Sequence, residues 1–228
     1  MIRIKKVVLL ICLLWVVQDS AVAQNNSPIK MGLRFAPNIS WLTPGTKNYE
    51  SQKIAIGTTA GFVADFYFAE RYAFSTGFDF AFLNGSLNYP DSVGSVTGKM
   101  VRKYNLIYLE IPTMIKMKTR PFGDFAFYGQ IGFNPGIRIS SKAKDEFSGN
   151  NGSAFSEKND ANDATSMMRA SATLGFGLEY SLDLTSRLFF GLGYNNSLNN
   201  VLTDKNKISR LDEKAWLNFV ELNLGILF

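Results

Sequence analysis

Histidine is absent from this sequence altogether. It is the side chain whose unperturbed pKa suits general acid/base chemistry near neutral pH, and it is the commonest metal ligand. Its absence argues against an enzyme and against a resident metal, and no catalytic, cofactor-binding or metal-ligating residues are assigned. Cysteine is nearly absent too: the single Cys12 lies inside an N-terminal apolar segment, so the rest of the chain has no disulfide and no thiolate metal site. Long apolar runs are also missing. The longest, Val7 to Val17, has 11 residues, about half of the roughly 20 that a transmembrane helix needs. Nor is there a strong excess of one charge. The net charge of +5 falls to +3 without residues 1–23, which hold Arg3, Lys5, Lys6 and Asp19. The remaining basic residues are spread along the chain, which excludes a nucleic-acid footprint.

The N-terminus itself has a recognisable order. Arg3, Lys5 and Lys6 precede the apolar run, and Ala21-Val22-Ala23 follows as a small-x-small site. That describes a secretory signal peptide over residues 1–23, cleaved after Ala23, and a single domain over residues 24–228.

What recurs beyond it is alternation with period two. Segments 30–42, 55–68, 71–84, 103–118, 124–140, 167–181, 187–198 and 215–228 each alternate, which predicts eight β-strands. In the fifth, Phe125, Phe127, Ile131, Phe133, Ile137 and Ile139 oppose Ala126, Tyr128, Gln130, Gly132, Asn134 and Arg138. The fourth is the least regular, because Tyr108 and Met114 share a face with Glu110 and Lys116. Short links near Glu70, Thr119–Gly123 and Leu182–Ser186 alternate with long polar ones at 43–54, 85–101, 141–166 and 199–214. That asymmetry is expected of an up-and-down barrel with tight periplasmic turns and long extracellular loops. The link 141–166, rich in Asn, Asp, Ser and Gly, is expected to be the most mobile.

A soluble barrel turns its apolar face inward, a membrane barrel outward. Three features favour the second. The apolar faces of the eight segments read as free of charge, where Lys or Arg would cost about 2–4 kcal/mol at mid-bilayer. Glycines such as Gly61, Gly177, Gly191 and Gly225 fall on the polar face, as a narrow lumen requires. Aromatics including Trp41, Tyr72, Tyr180, Tyr194 and Trp216 sit near segment ends, where rings suit a membrane interface. Phe228 closes the last alternating segment on its apolar face, as in the terminal aromatic signal of outer-membrane barrels. The expected fold is therefore all-β, an eight-stranded antiparallel up-and-down transmembrane β-barrel.

On this assignment Arg34, Lys116, Arg138, Arg169 and Arg187 face Asp65, Asp79, Glu110, Glu179 and Glu221 across the lumen. Such charges are costly in a narrow space unless paired. The expectation is an interlocked structural network that closes the lumen; the alternative is a charged, ion-selective pore.

Tyr108-Leu109-Glu110-Ile111-Pro112, followed by Met114, Lys116 and Lys118, resembles the central strand of the PorT-like outer-membrane β-barrel family. Gly32-Leu33-Arg34 in the first strand and Gly175-Phe176-Gly177 before the third short turn extend the resemblance. It implies an integral barrel of a Gram-negative outer membrane, and its namesake takes part in protein secretion. No catalytic or cofactor residues come with it. The expectation is a non-enzymatic protein, seated in outer-membrane lipid, that acts through extracellular loops or through protein partners of a secretion or envelope complex. A narrow porin-like channel for small solutes is the alternative; an embedded enzyme and a soluble carrier of an apolar ligand are further readings.

Overall fold

The computed structural model describes residues 28–205 and 211–228; the signal-peptide assignment over 1–23 lies outside them. Eleven strands follow in chain order: β1 (Ile29–Pro44), β2 (Glu50–Lys53), β3 (Ala55–Ala69), β4 (Tyr72–Val93), β5 (Val96–Glu110), β6 (Thr113–Lys118), β7 (Phe125–Gly149), β8 (Ala154–Asp160), β9 (Met168–Ser181), β10 (Arg187–Ser197) and β11 (Ala215–Leu227). β5 and β6 are two halves of one staff. With them counted as one, β1, β3, β4, β5/β6, β7, β9, β10 and β11 form an eight-membered antiparallel ring, closed where β1 meets β11 (Arg34 opposite Gly225, Ile39 opposite Val220). Closure leaves the ring with no free edge.

Alternation explains the ring. In β1, Met31, Leu33, Phe35 and Ile39 are exposed while Ala36, Asn38, Ser40 and Leu42 are buried. In β7 and β9, Phe127, Phe133, Leu174 and Phe176 lie outside, between 58% and 62% exposed, whereas Arg169, Glu179 and Asn134 are inside at 2% or less. A one-residue slip would turn the charges outward, so the pattern holds its own register. Lys103 departs from the expected charge-free exterior: it shares the outer face of β5 with Ile107, toward the end of the ring that bears the long links.

The fourth predicted strand is broken at Ile111-Pro112. Proline has no N–H to give to a ladder, and the Ile111 N–H turns to the Pro135 carbonyl at 2.9 Å. Two residues are skipped, so parity is kept, and Tyr108, Glu110, Met114 and Lys116 all point inward. That is why the sequence pattern looked irregular there.

Two of the expected long loops are strands instead. β4 and β5 run on to a hairpin whose turn carries Gly94 at φ 61°. β7 continues to Gly149 and returns as β8, with Gly152 at φ 84° in the turn; positive φ is a conformation glycine adopts without a side-chain penalty. A bulge at Ile139 sets Ile107 opposite Ser140 and Tyr108 opposite Arg138. Past it, Ser141, Ala143, Asp145 and Phe147 face inward, opposite in parity to Ala126 and Tyr128 below. The result is a five-stranded extension, β2-β4-β5-β7-β8, rising above one side of the ring.

The interior has two storeys. Nearer the short turns it is polar and charged. Nearer the long links it is apolar, built from Leu42, Leu83, Leu87, Tyr89, Tyr104, Leu106, Leu217 and Phe219, a departure from the expected polar lumen. Val201 and Leu202 close it from above, fully buried, and backbone hydrogen bonds from Ser166 to Val201 and from Thr203 to Ala164 tie their stretch to the chain between β8 and β9. An extension that rises beyond the closed ring needs a core of its own, and each large apolar side chain buried there contributes roughly 1.5–3 kcal/mol.

Candidate functional site

The lumen charges gather into three clusters. Lys116 Nζ lies 2.7 Å from both Asp65 Oδ2 and Glu179 Oε1, and Lys118 Nζ takes the other Glu179 oxygen at 2.6 Å. Arg187 approaches Glu179 at 3.5 Å from the turn end. The Lys116 ammonium also stands 4.7 Å from the centroid of the Tyr128 ring, a cation–π contact within the usual reach. Deeper in, Arg34 bridges Glu221 at 2.9 Å and Asp79 at 3.6 Å. Beneath the apolar storey, Arg169 Nη1 meets Glu110 Oε1 at 2.5 Å. Its Nη2 donates to the Leu217 carbonyl at 3.0 Å, with the guanidinium over the Phe219 ring.

Neutral groups extend the Arg34 cluster across the lumen. Asn195 donates to Glu221 at 3.4 Å and accepts from Thr173 at 2.6 Å and Asn134 at 3.0 Å. Glycines give the charged chains room: a Cβ on Gly61 would collide with the Asp79 carboxylate, and one on Gly225 with the Phe189 ring. A cavity of about 30 Å³ beside Arg34, Lys116, Tyr128 and Phe189 is large enough for a water or two.

Nine of the ten residues expected in the lumen lie in these ion pairs. Arg138 does not. It stands at the bulge and donates to the backbone carbonyl and Oγ1 of Thr165 on the adjoining link. Lys118 takes its place, so five cations meet five carboxylates. Lys118 shares the parity of Lys116, a signal the sequence did hold. Lys30, which shares the parity of Arg34, was also missed; it donates to the Thr185 carbonyl at 3.0 Å.

A separate clasp holds the roof. Arg102 grips Asp145 through two hydrogen bonds of 2.6 and 2.8 Å and reaches Asp204 at 3.8 Å. Tyr49 donates to Glu213 at 2.6 Å, and burial pushes the Glu213 carboxyl above its ordinary pKa. At the opposite end, backbone N–H groups of Ser186 and Thr185 hold Asp183 down at about 2.

An eight-stranded antiparallel ring with an apolar exterior and paired charges inside defines an integral β-barrel of the outer-membrane type. The chain belongs to the family described as outer membrane protein beta-barrel domain, whose model matches residues 22–203. No curated protein matches it. Among solved structures it is similar to Neisserial surface protein A, with 14% identity over 88% of this chain and 96% of that one and a TM-score of 0.47. It is also similar to OprG from Pseudomonas aeruginosa (12%, 87% and 93%, TM-score 0.46), and to Ail of Yersinia pestis (12%, 87% and 98%, TM-score 0.37).

Proposed function

We propose that this is a non-enzymatic, non-conducting outer-membrane barrel of the PorT-like kind that works through its extension. It is exported by residues 1–23, sits in outer-membrane lipid with its short turns in the periplasm, and presents the β2-β4-β5-β7-β8 sheet outside to partners in protein secretion or envelope organisation. The observation that carries this reading is the filled lumen, charge-paired below and apolar above, beside a sheet that runs well beyond what a barrel needs to close. A narrow pore for solutes would need a path through both storeys.

Two measurements test it. In planar bilayers the purified barrel is expected to give no conductance steps; regular steps would return the pore reading. Replacing residues 142–160 with a short turn is expected to leave the barrel inserted and heat-modifiable while reducing the amount of exported protein in the medium. An unchanged secretome with normal envelope integrity would sink the partner role.

A further inference from the structure

The exterior of the extension carries a lysine row that the fold does not need. Lys103 on β5 lies directly opposite Lys144 on β7, and Lys144 directly opposite Lys158 on β8. Lys142 follows on the same face, opposite Asn105 and Asp160. Like charges directly opposite one another on neighbouring strands destabilise a sheet. Glu146 relieves part of this, accepting from Lys103 and Lys144 at 2.8 Å each; these two contacts hold its carboxyl at about 2. Lys142 and Lys158 are exposed and make no ion pair among the described residues. The four lysines border a shallow concavity of about 610 Å³, with the carboxamide of Asn105 and the carboxylate of Asp160 beside them.

Height matters as much as charge. Lys103 shares its face with Ile107, four residues nearer the apolar band. At roughly 3.3 Å per residue and the tilt of a small barrel, Lys103 and Lys144 stand about 10 Å above Ile107, and Lys142, opposite Asn105, about half that. Headgroups occupy this layer, and lysine stems can extend along apolar surface to bring their ammonium groups to it.

We infer that Lys103, Lys142, Lys144 and Lys158 form a binding surface for the phosphorylated saccharide headgroups of the outer leaflet. Four ammonium groups against two carboxylates, the paired Glu146 and Asp160 opposite Lys142, leave this face an excess of positive charge; turned sideways toward the bilayer, it suits a lipid-borne polyanion better than a soluble one arriving from above. The inference rests on the barrel's seat in the membrane and not on the partner role proposed for the extension, so either can fail alone.

The test uses the protein purified from outer membranes in detergent micelles and fluorescent lipopolysaccharide, intact or treated with phosphatase. Binding of intact lipopolysaccharide is expected, weakening at least tenfold after phosphatase treatment. It is expected to weaken at least tenfold in the variant Lys142→Gln/Lys144→Gln/Lys158→Gln, and to return in the corresponding Lys→Arg variant. If the neutral triple variant no longer shifts on boiling, Lys142→Gln/Lys158→Gln, which breaks no ion pair, carries the same expectation at about fivefold. Equal binding by wild-type and neutral variants would overturn the inference. So would displacement by millimolar inorganic phosphate, which would make this a free-anion site, or tighter binding of heparin, which would make it a surface for soluble polyanions.

Discussion

Arg169 Nη1 lies 2.5 Å from Glu110 Oε1, with both side chains at most 1% exposed, at the level where the charged storey of the lumen meets the apolar one. The contact joins β9 to the end of β5, next to the Ile111-Pro112 break. It faces Leu217 and Phe219 on the far wall. Removing one partner strands a charge with no water to solvate it, whereas removing both leaves a gap that apolar side chains can fill.

Arg169→Leu is therefore expected to destabilise the barrel by about 3–5 kcal/mol. Arg169→Leu/Glu110→Leu is expected to recover most of that loss. Urea midpoints in detergent micelles, read by the mobility shift on boiling, check both. Additive losses in the double variant would show that the two groups are not coupled.

Lys118 and Arg138 invite the opposite comparison. Lys118→Met removes one of the cations on Glu179 and is expected to cost about 2–4 kcal/mol, less than a fully orphaned charge because Lys116 remains. Arg138→Gln loses only hydrogen bonds to Thr165 and is expected to cost about 1–2 kcal/mol. The same unfolding measurement ranks them, and a larger loss for Arg138 would place it back in the network.

That pair also marks what the sequence could convey. Inside and outside were legible along most of the ring, because lipid forbids charge on one face and a narrow lumen demands small or paired groups on the other. Height was not. Arg138 and Lys116 both have inward parity, but the register between strands, set by pairing with distant segments, puts one at the loop-side bulge and the other in the charged storey nearer the short turns. The extension was hidden for a related reason. Beyond the membrane the outer face of β7 is polar, as at Lys142 and Lys144, and the bulge at Ile139 reverses parity, so alternation broke off where the strand did not. The apolar upper storey followed from that: Tyr89, Met100 and Phe147 fell in segments read as loops.

Glu213 gives the roof a pH dependence of definite sign. Its carboxyl is buried beside Tyr49, with Arg102 favouring the charged form and Asp204 and Asp91 opposing it; burial dominates and raises its pKa above the ordinary 4.5. A carboxyl raised on folding binds its proton more tightly in the folded state. Between the ordinary and the raised value, stability therefore falls as pH rises, and above the raised value the full penalty applies. Asp183 contributes in the other direction, but only as pH falls from 3.8 toward about 2, and at the far end of the barrel. The segment around Val201 and Leu202 is expected to be better protected from hydrogen exchange at pH 5 than at pH 7.5, once rates are corrected for intrinsic chemistry. Glu213→Gln, which keeps an acceptor for the Tyr49 hydroxyl, is expected to remove the difference. Greater protection at pH 7.5 in the wild-type chain would mean that the Arg102 charge outweighs burial, and that the roof is held shut by an ionised Glu213.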